Sequence, residues 1–122
     1  MKTDWVDDYC LAKKGVVKEY KTEWGCHLFL VGGKFFLMQG ADKSERPILS
    51  LKLDPARGDE LRRQYKDTVL PGYYLNKLHW NSVYVENDFP EDLMRSMIDE
   101  SYALIFGGLT KKAQKEILEA DC

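Results

Sequence analysis

Apolar and polar positions change their period several times along this chain, and each change marks an element. Over residues 4–14, Trp5, Val6, Tyr9 and Cys10 recur at the spacing of one helix face. Thr3 or Asp4 supplies a cap, and acidic residues crowd the first turns, where the helix dipole favours negative charge. Gly15, after Lys13 and Lys14, stops the helix. The period then drops to two. "VVKEYKTEW" predicts a strand, and "CHLFLVGGKFFLMQ" predicts a hairpin whose turn is Gly32 and Gly33, residues that tolerate positive φ. "PILSLKL" alternates as a further strand. "DPARGDELRRQYK" opens a helix with Asp54 as N-cap and Pro55 at the first helical position, and Gly58 weakens that helix without breaking it.

"WNSVYVE" alternates again, with "GYYL" as its expected hairpin partner across "NKLH". "DFPEDLMRSMIDESYALIFGG" is the clearest helix. Leu93, Met94, Met97, Ile98, Ser101, Leu104 and Ile105 form a buried stripe along it, and Gly107 and Gly108 end it. Thr110 caps a last short helix, turned inward by Ala113 and Ile117. The order is helix, strands, helix, strands, helix, helix. This pattern predicts an α+β fold, an antiparallel sheet backed by helices, in one domain over residues 1–122.

A two-residue turn sets the hairpin pairing, so Phe35 should face Leu30, Phe36 face Phe29, and Met38 face His27. One face then carries Leu28, Leu30, Phe35 and Leu37. The other carries His27, Phe29, Val31, Lys34, Phe36 and Met38. Leu49, Leu51, Leu53, Val83 and Val85 read as core, which turns Ser50, Lys52, Trp80, Ser82 and Tyr84 to the opposite side. The pattern therefore predicts a second apolar face of Phe29, Phe36, Met38, Trp80 and Tyr84, with Lys34, Lys52 and His27 among them. Such a face is a working surface, a second small core beneath a loop or helix, or a homodimer contact.

Composition narrows the function classes. The formal net charge is -2 with a pI of about 5.7, so no global positive field draws the chain to nucleic acid or an anionic membrane. A nucleic-acid role needs a local basic patch. Residues 61–86 hold four basic and two acidic side chains, whereas residues 87–122 hold four basic and eight acidic. Apolar runs are far shorter than the roughly 20 residues of a membrane span, and the acidic opening "MKTDWVDDYC" does not read as a secretory leader. Cys10, Cys26 and Cys122 form an odd set without CxxC spacing, which predicts free thiols and a cytoplasmic location. Cys122, at the end of the chain, reads as an exposed thiol.

Catalytic chemistry finds little support. Cys26 and His27 are strand neighbours whose side chains point to opposite faces, so they cannot form a dyad. No GxSxG, HExxH, phosphate-binding or dinucleotide-binding motif is present. Asp92, Asp99 and Glu100 read as a solvated helix face. Two histidines and three scattered cysteines lack metal-ligand spacing. The expectation is a non-enzymatic protein with no catalytic residue, no cofactor, no metal and no membrane contact.

The stretch "LPGYYLNKLHWNSVYV" carries an identity of its own. It resembles the signature of the MmcQ/YjbR family of small bacterial proteins, in which an "LNKxHW" core precedes a strand. "YCLAKKG", "GGKFF", "LSLKLDP" and "DESYALIF" fit the same family, so the resemblance spans nearly the full length. It implies an antiparallel sheet backed by helices, related to secretion-chaperone-like architectures, and a double-wing arrangement for which the family is labelled DNA-binding. Candidate DNA contacts are Lys34, Lys52, Asn76, Lys77 and His79: amide and lysine side chains suit base edges and phosphates. Tyr73, Tyr74, Leu75 and Trp80 then fix the turn that presents them. A structural reading stands beside this one, with Asn76 and Lys77 as turn residues, Trp80 as an anchor and His79 bonded to backbone. The alternative function is a protein-interaction or chaperone-like module, acting through Phe29, Phe36, Met38 and Tyr84, with a homodimer or another protein as partner.

Overall fold

Gly32 and Gly33 both adopt positive φ, 60° and 81°, and close the expected hairpin. The computed structural model describes residues 1–120; Cys122 lies outside the described residues. Helix α1 (Val6–Leu11) leads into β1 (Val16–Lys21), β2 (Cys26–Val31), β3 (Lys34–Ala41) and β4 (Pro47–Lys52). Helix α2 (Pro55–Gln64) follows, then β5 (Val69–Pro71), β6 (Trp80–Tyr84), α3 (Glu91–Gly107) and α4 (Lys111–Glu119). The strands form one antiparallel sheet in the order β1-β2-β3-β4-β6-β5.

Local chemistry accounts for most boundaries. The Asp54 carboxylate accepts from the Ala56 N–H at 3.2 Å, with Pro55 beginning α2. Thr110 Oγ1 accepts from the Ala113 N–H at 3.0 Å to cap α4. Three boundaries differ from the sequence reading. Helix α1 starts at Val6, with Trp5 at its N-cap and no side-chain cap. Strand β1 stops at Lys21 because Gly25, at φ 62°, turns the chain at residues 22–25. The partner of β6 is "VLP" rather than "GYYL". Residue pairing ends at Pro71, although the Gly72 N–H still donates to the Trp80 carbonyl at 2.7 Å, so close that an added Cβ would sit 2.7 Å from the Trp80 Cβ.

The expected face assignment of the hairpin is half inverted. Phe35 does pair with Leu30, but Leu37 pairs with Phe29 and Met38 with Leu28, because the register shifts between Phe29 and Leu30. Phe36 is the extra residue of a β-bulge, and beyond it β3 is out of phase with a regular two-residue hairpin. Phe29 and Phe36, expected on an exposed interaction surface, are instead 0% exposed in the main core with Val31, Leu37, Leu49 and Leu51. That core lies under α3, whose Met94, Met97 and Ile98 are fully buried, and under Val6 and Cys10 of α1. Cys26, Leu28, Leu30, Phe35 and Met38 form a separate cluster on the other face.

The bulge also decides how α3 docks. The β3–β4 ladder pairs Leu37 with Leu51 and goes no further toward the turn. One step beyond, the buried Ser101 hydroxyl donates to the Phe36 carbonyl at 2.6 Å and accepts from the Lys52 N–H at 2.9 Å. A helix side chain thus bridges two strands where their own bonding ends. Ser101→Ala leaves both backbone groups without a partner and should cost about 1–3 kcal/mol. Urea titration checks this: the midpoint falls while the slope stays constant.

Alkaline stability follows from Cys10. Its burial raises the thiol from 9.0 to about 12, and Tyr9 beside it is raised to about 12, chiefly by burial and the Asp99 carboxylate. Below pH 9 the Cys10 thiol is protonated in both folded and unfolded chains. As pH rises toward 12, only the unfolded chain releases that proton, so stability should fall across this window. Urea midpoints measured from neutral to alkaline pH should show the decline, and Cys10→Ala should make it shallower.

Candidate functional site

The segment between β5 and β6 is built almost entirely from its own polar groups. The Asn76 carboxamide oxygen accepts from the Leu78 N–H at 2.9 Å and the His79 N–H at 3.4 Å, while the Asn76 carbonyl accepts from the Trp80 N–H at 2.9 Å. Lys77 Nζ turns back to the Gly72 carbonyl at 2.8 Å. The His79 carbonyl accepts from the Leu53 N–H at 2.8 Å, fastening the loop to the end of β4. Asn76 is therefore a turn-forming residue, and Lys77 is both exposed and tethered.

Helix α2 holds this loop from outside. Arg62 donates to the Lys77 carbonyl at 2.6 Å, the Trp80 carbonyl at 3.1 Å and Asn81 Oδ1 at 2.8 Å. Asn81 is completely buried, and its amide lies where a Cβ at position 58 would stand, 2.9 Å away. Gly58, which weakens α2 as a helix former, makes room for this contact. Neither Arg62 nor Asn81 stands out in sequence, because each is ordinary within its own element. Arg62→Ala should destabilise the fold by about 2–3 kcal/mol, since charge-assisted bonds and a buried amide partner go together. Arg62→Lys should fail to restore it, because a lysine ammonium cannot fork between these acceptors. Urea denaturation of both variants checks the pair.

The remaining expected residues fall into two groups, one around the Gly32–Gly33 end of the sheet and one farther along its open face. The Gly32–Gly33 turn, the start of β3, the end of β4 and the start of β6 share one end. Lys34 is exposed there but, paired with the core residue Val31, stands on the helix side of the sheet, whereas Lys52 lies opposite Trp80 on the open side. Half-buried His79 and exposed Lys77 precede Trp80, whose ring stands 5.0 Å from Phe35 and is only partly buried. The first turn of α4, with Lys111 and Lys112, joins this end through Leu109, which packs against Gly32 so closely that an added Cβ would meet it at 2.6 Å. The same contact makes glycine necessary at a position that already has positive φ.

Met38 and Tyr84 lie farther along the open face. The Tyr84 hydroxyl donates to Asp42 at 2.7 Å, and the Arg46 guanidinium lies 3.9 Å from its ring centre. That hydroxyl, with the Arg46 N–H, holds the Asp42 carboxyl below its usual range. Tyr84 is thus engaged within the chain. Beside it the loop after β5 folds over the sheet. The Tyr73 N–H donates to Ser82 Oγ at 3.0 Å, and Ser82 bonds Ser50 at 2.7 Å in a buried polar seam. Tyr73, Tyr74 and Leu75 then roof a pocket of about 370 Å3, walled also by Glu23, Trp24, Cys26, Met38, Gly40, Ala41 and Ile48.

Two features of the pocket are unusual. The buried Tyr73 hydroxyl has no hydrogen-bond partner among the described residues; the Tyr74 hydroxyl and Lys43 N–H lie near it without bonding geometry. Tyr74 holds φ 63° and is 80% exposed at the rim. A bulky residue in that backbone region is a local strain that the loop sustains. The sequence reading grouped Tyr73, Tyr74 and Leu75 as a turn but missed Trp24, whose turn was signalled only by Gly25. Cys26, lining the floor, is 4% exposed, and burial raises its thiol above the ordinary range. Among the described residues, no group of three or more His, Cys, Asp or Glu side chains is arranged to hold a metal ion. No helix among them is long and apolar enough to cross a membrane.

Comparison with known proteins agrees with this architecture. The chain is 37% identical over 90 residues to YbdF of Escherichia coli O157:H7, covering 74% of this chain and 72% of YbdF. It is 31% identical over 111 residues to YjbR of Escherichia coli K12, covering 91% and 92%. The crystal structure of Deinococcus radiodurans protein DR2400, a DUF419 domain, superposes with a TM-score of 0.84 at 29% identity, over 95% of this chain and 87% of that one. A Pseudomonas syringae protein of known structure shares the fold at a TM-score of 0.71 and 19% identity, over 86% and 99%. The YjbR family model matches residues 11–104, which hold the whole sheet, α2 and most of α3, and the chain belongs to the YjbR family.

Proposed function

We propose that this protein is a non-enzymatic DNA-binding module whose contact surface is the lysine-bearing end of the sheet, around the Gly32–Gly33 turn. The observation that carries this reading is convergence. Lys34, Lys52, Lys77, Lys111 and Lys112 come from four separate stretches of sequence and lie around one end of the sheet, Lys34 on its helix side and Lys52 on its open side. Lys34, Lys52, Lys111 and Lys112 form no ion pair among the described residues, whereas Lys13, Lys18, Arg46, Arg57, Arg62 and Arg95 all do. Free ammonium groups are what phosphate neutralisation requires, and an acidic whole-chain charge does not remove a local patch. The partly buried Phe35–Trp80 pair beside Lys52 offers unpaired bases a stacking surface.

Asn76 has a lesser part in this reading than its amide suggests, because its oxygen is already committed to the loop. Lys34 and Lys52 carry the contact. A second reading, a protein-interaction surface, rests on Trp24 and Tyr74, 53% and 80% exposed on the open sheet face, where the Trp24 ring lies 6.0 Å from that of Phe35.

Fluorescence anisotropy of a labelled duplex and a labelled single strand, across a salt series, tests the proposal. Binding in the micromolar range that weakens with salt is expected. Lys34→Ala and Lys52→Ala should each make the salt slope shallower by about one. No binding at low salt overturns the DNA reading, and self-association abolished by Tyr74→Ser would then favour the second.

A further inference from the structure

We propose that the pocket between the 22–25 turn and the 73–75 loop is a binding site for an alkylated ammonium group. None of the lysines of the proposed DNA surface lines this pocket, and the site does not depend on the DNA reading. Its volume of about 370 Å3 falls within the range of small-ligand pockets.

The lining selects the charge of the occupant. No lysine, arginine or histidine lines the pocket, so an anion finds no counter-charge there. Glu23 is its one charged lining residue, and Trp24, Tyr73 and Tyr74 contribute three aromatic rings. Ring faces and a carboxylate both attract cations, and this combination is the recognised means of holding quaternary ammonium groups. Rings on this same face already seat cations. The Arg46 guanidinium lies 3.9 Å from the Tyr84 ring centre, and Lys21 Nζ lies 5.3 Å from that of Trp24. Lys21 is not part of the pocket wall.

The lining also selects the cation's substituents. A bare ammonium has three donors to satisfy, and the polar side-chain acceptors here are the Glu23 carboxylate and the unpartnered hydroxyl of Tyr73 beside that of Tyr74. Replacing N–H by N–CH3 removes that demand and adds apolar surface to meet Met38, Ile48, Leu75 and Cys26. Tyr74, in the left-handed backbone region, is 80% exposed, with its ring centre 4.3 Å from that of Tyr73. Such a cation can belong to a free small amine or to a methylated lysine on a protein tail.

Titration of the 15N-labelled full chain with choline, followed at the Trp24 indole N–H, tests the site. Its neutral carbon isostere, 3,3-dimethylbutan-1-ol, runs as control. Saturable shifts confined to the pocket are expected, with choline bound about tenfold more tightly than the isostere. Glu23→Gln and Trp24→Ala should each weaken choline binding; both residues are exposed, so the remaining spectrum should report an intact fold. Equal binding of the isostere, shifts away from the pocket, or no saturable binding overturns the proposal. A trimethyl-lysine peptide separates the two sources. Affinity well above that of choline assigns a protein tail, and equal affinity assigns the free amine.

Discussion

One hydroxyl group fixes how the two layers of this protein meet. At Phe36 the hairpin takes in an extra residue, and the ladder between β3 and β4 ends beside it. Ser101 fills that gap from the opposing helix, accepting from one strand and donating to the other. The serine sits in the middle of the apolar stripe of α3, so the stripe can register against the sheet in only one position that satisfies both backbone groups. Met94, Met97 and Ile98 then fall over Leu37, Leu49 and Leu51, and α1 closes the remaining side. Apolar contact supplies most of the free energy of this packing, but it is nondirectional; the hydroxyl provides the direction.

Because the helices occupy one face only, the other face is left to the loops. The β5–β6 connection answers this need. It is stiffened by Asn76 and Lys77, gripped by Arg62, and laid across the polar seam of Ser50 and Ser82. The loop covers part of the sheet and leaves a pocket beneath its tyrosines. The same eight-residue stretch, 72–79, therefore contributes aromatic rings to the pocket and a lysine to the Gly32–Gly33 end of the sheet.

The sequence made some of this legible and hid the rest for identifiable reasons. Gly32 and Gly33 could only be a turn, Asp54-Pro55 could only begin a helix, and the stripe from Leu93 to Ile105 had the period of α3 throughout. Strand phase was a different matter. "CHLFLV" and "KFFLM" are apolar on both faces, so alternation does not say which side meets the helices. Phe29 and Phe36 therefore read as outward when they face the helices, and a bulge inside the run, which leaves no mark in the sequence, exchanges the faces of Leu37 and Met38. The "LNKLHW" motif was visible, yet its bonding was not, since Asn76 bonds within the loop while Arg62 arrives from another element. The pocket draws on four stretches of chain, none of which looks like a site alone.

The sheet's two borders differ in kind. Strand β5 is three residues long and ends in a proline, which has no N–H to offer a neighbour. Strand β1 is twice as long and leaves one side of its backbone unpaired. Along that border stand Lys18, Glu19 and Lys21, with Lys18 drawn to Asp7 of α1. Val17 and Tyr20 are exposed on the same strand, so another strand arriving there would gain apolar contact but would first have to strip water from these charges. The six-stranded sheet is thus bordered on one side by a strand too short and too proline-ended to extend, and on the other by charges that are costly to dry.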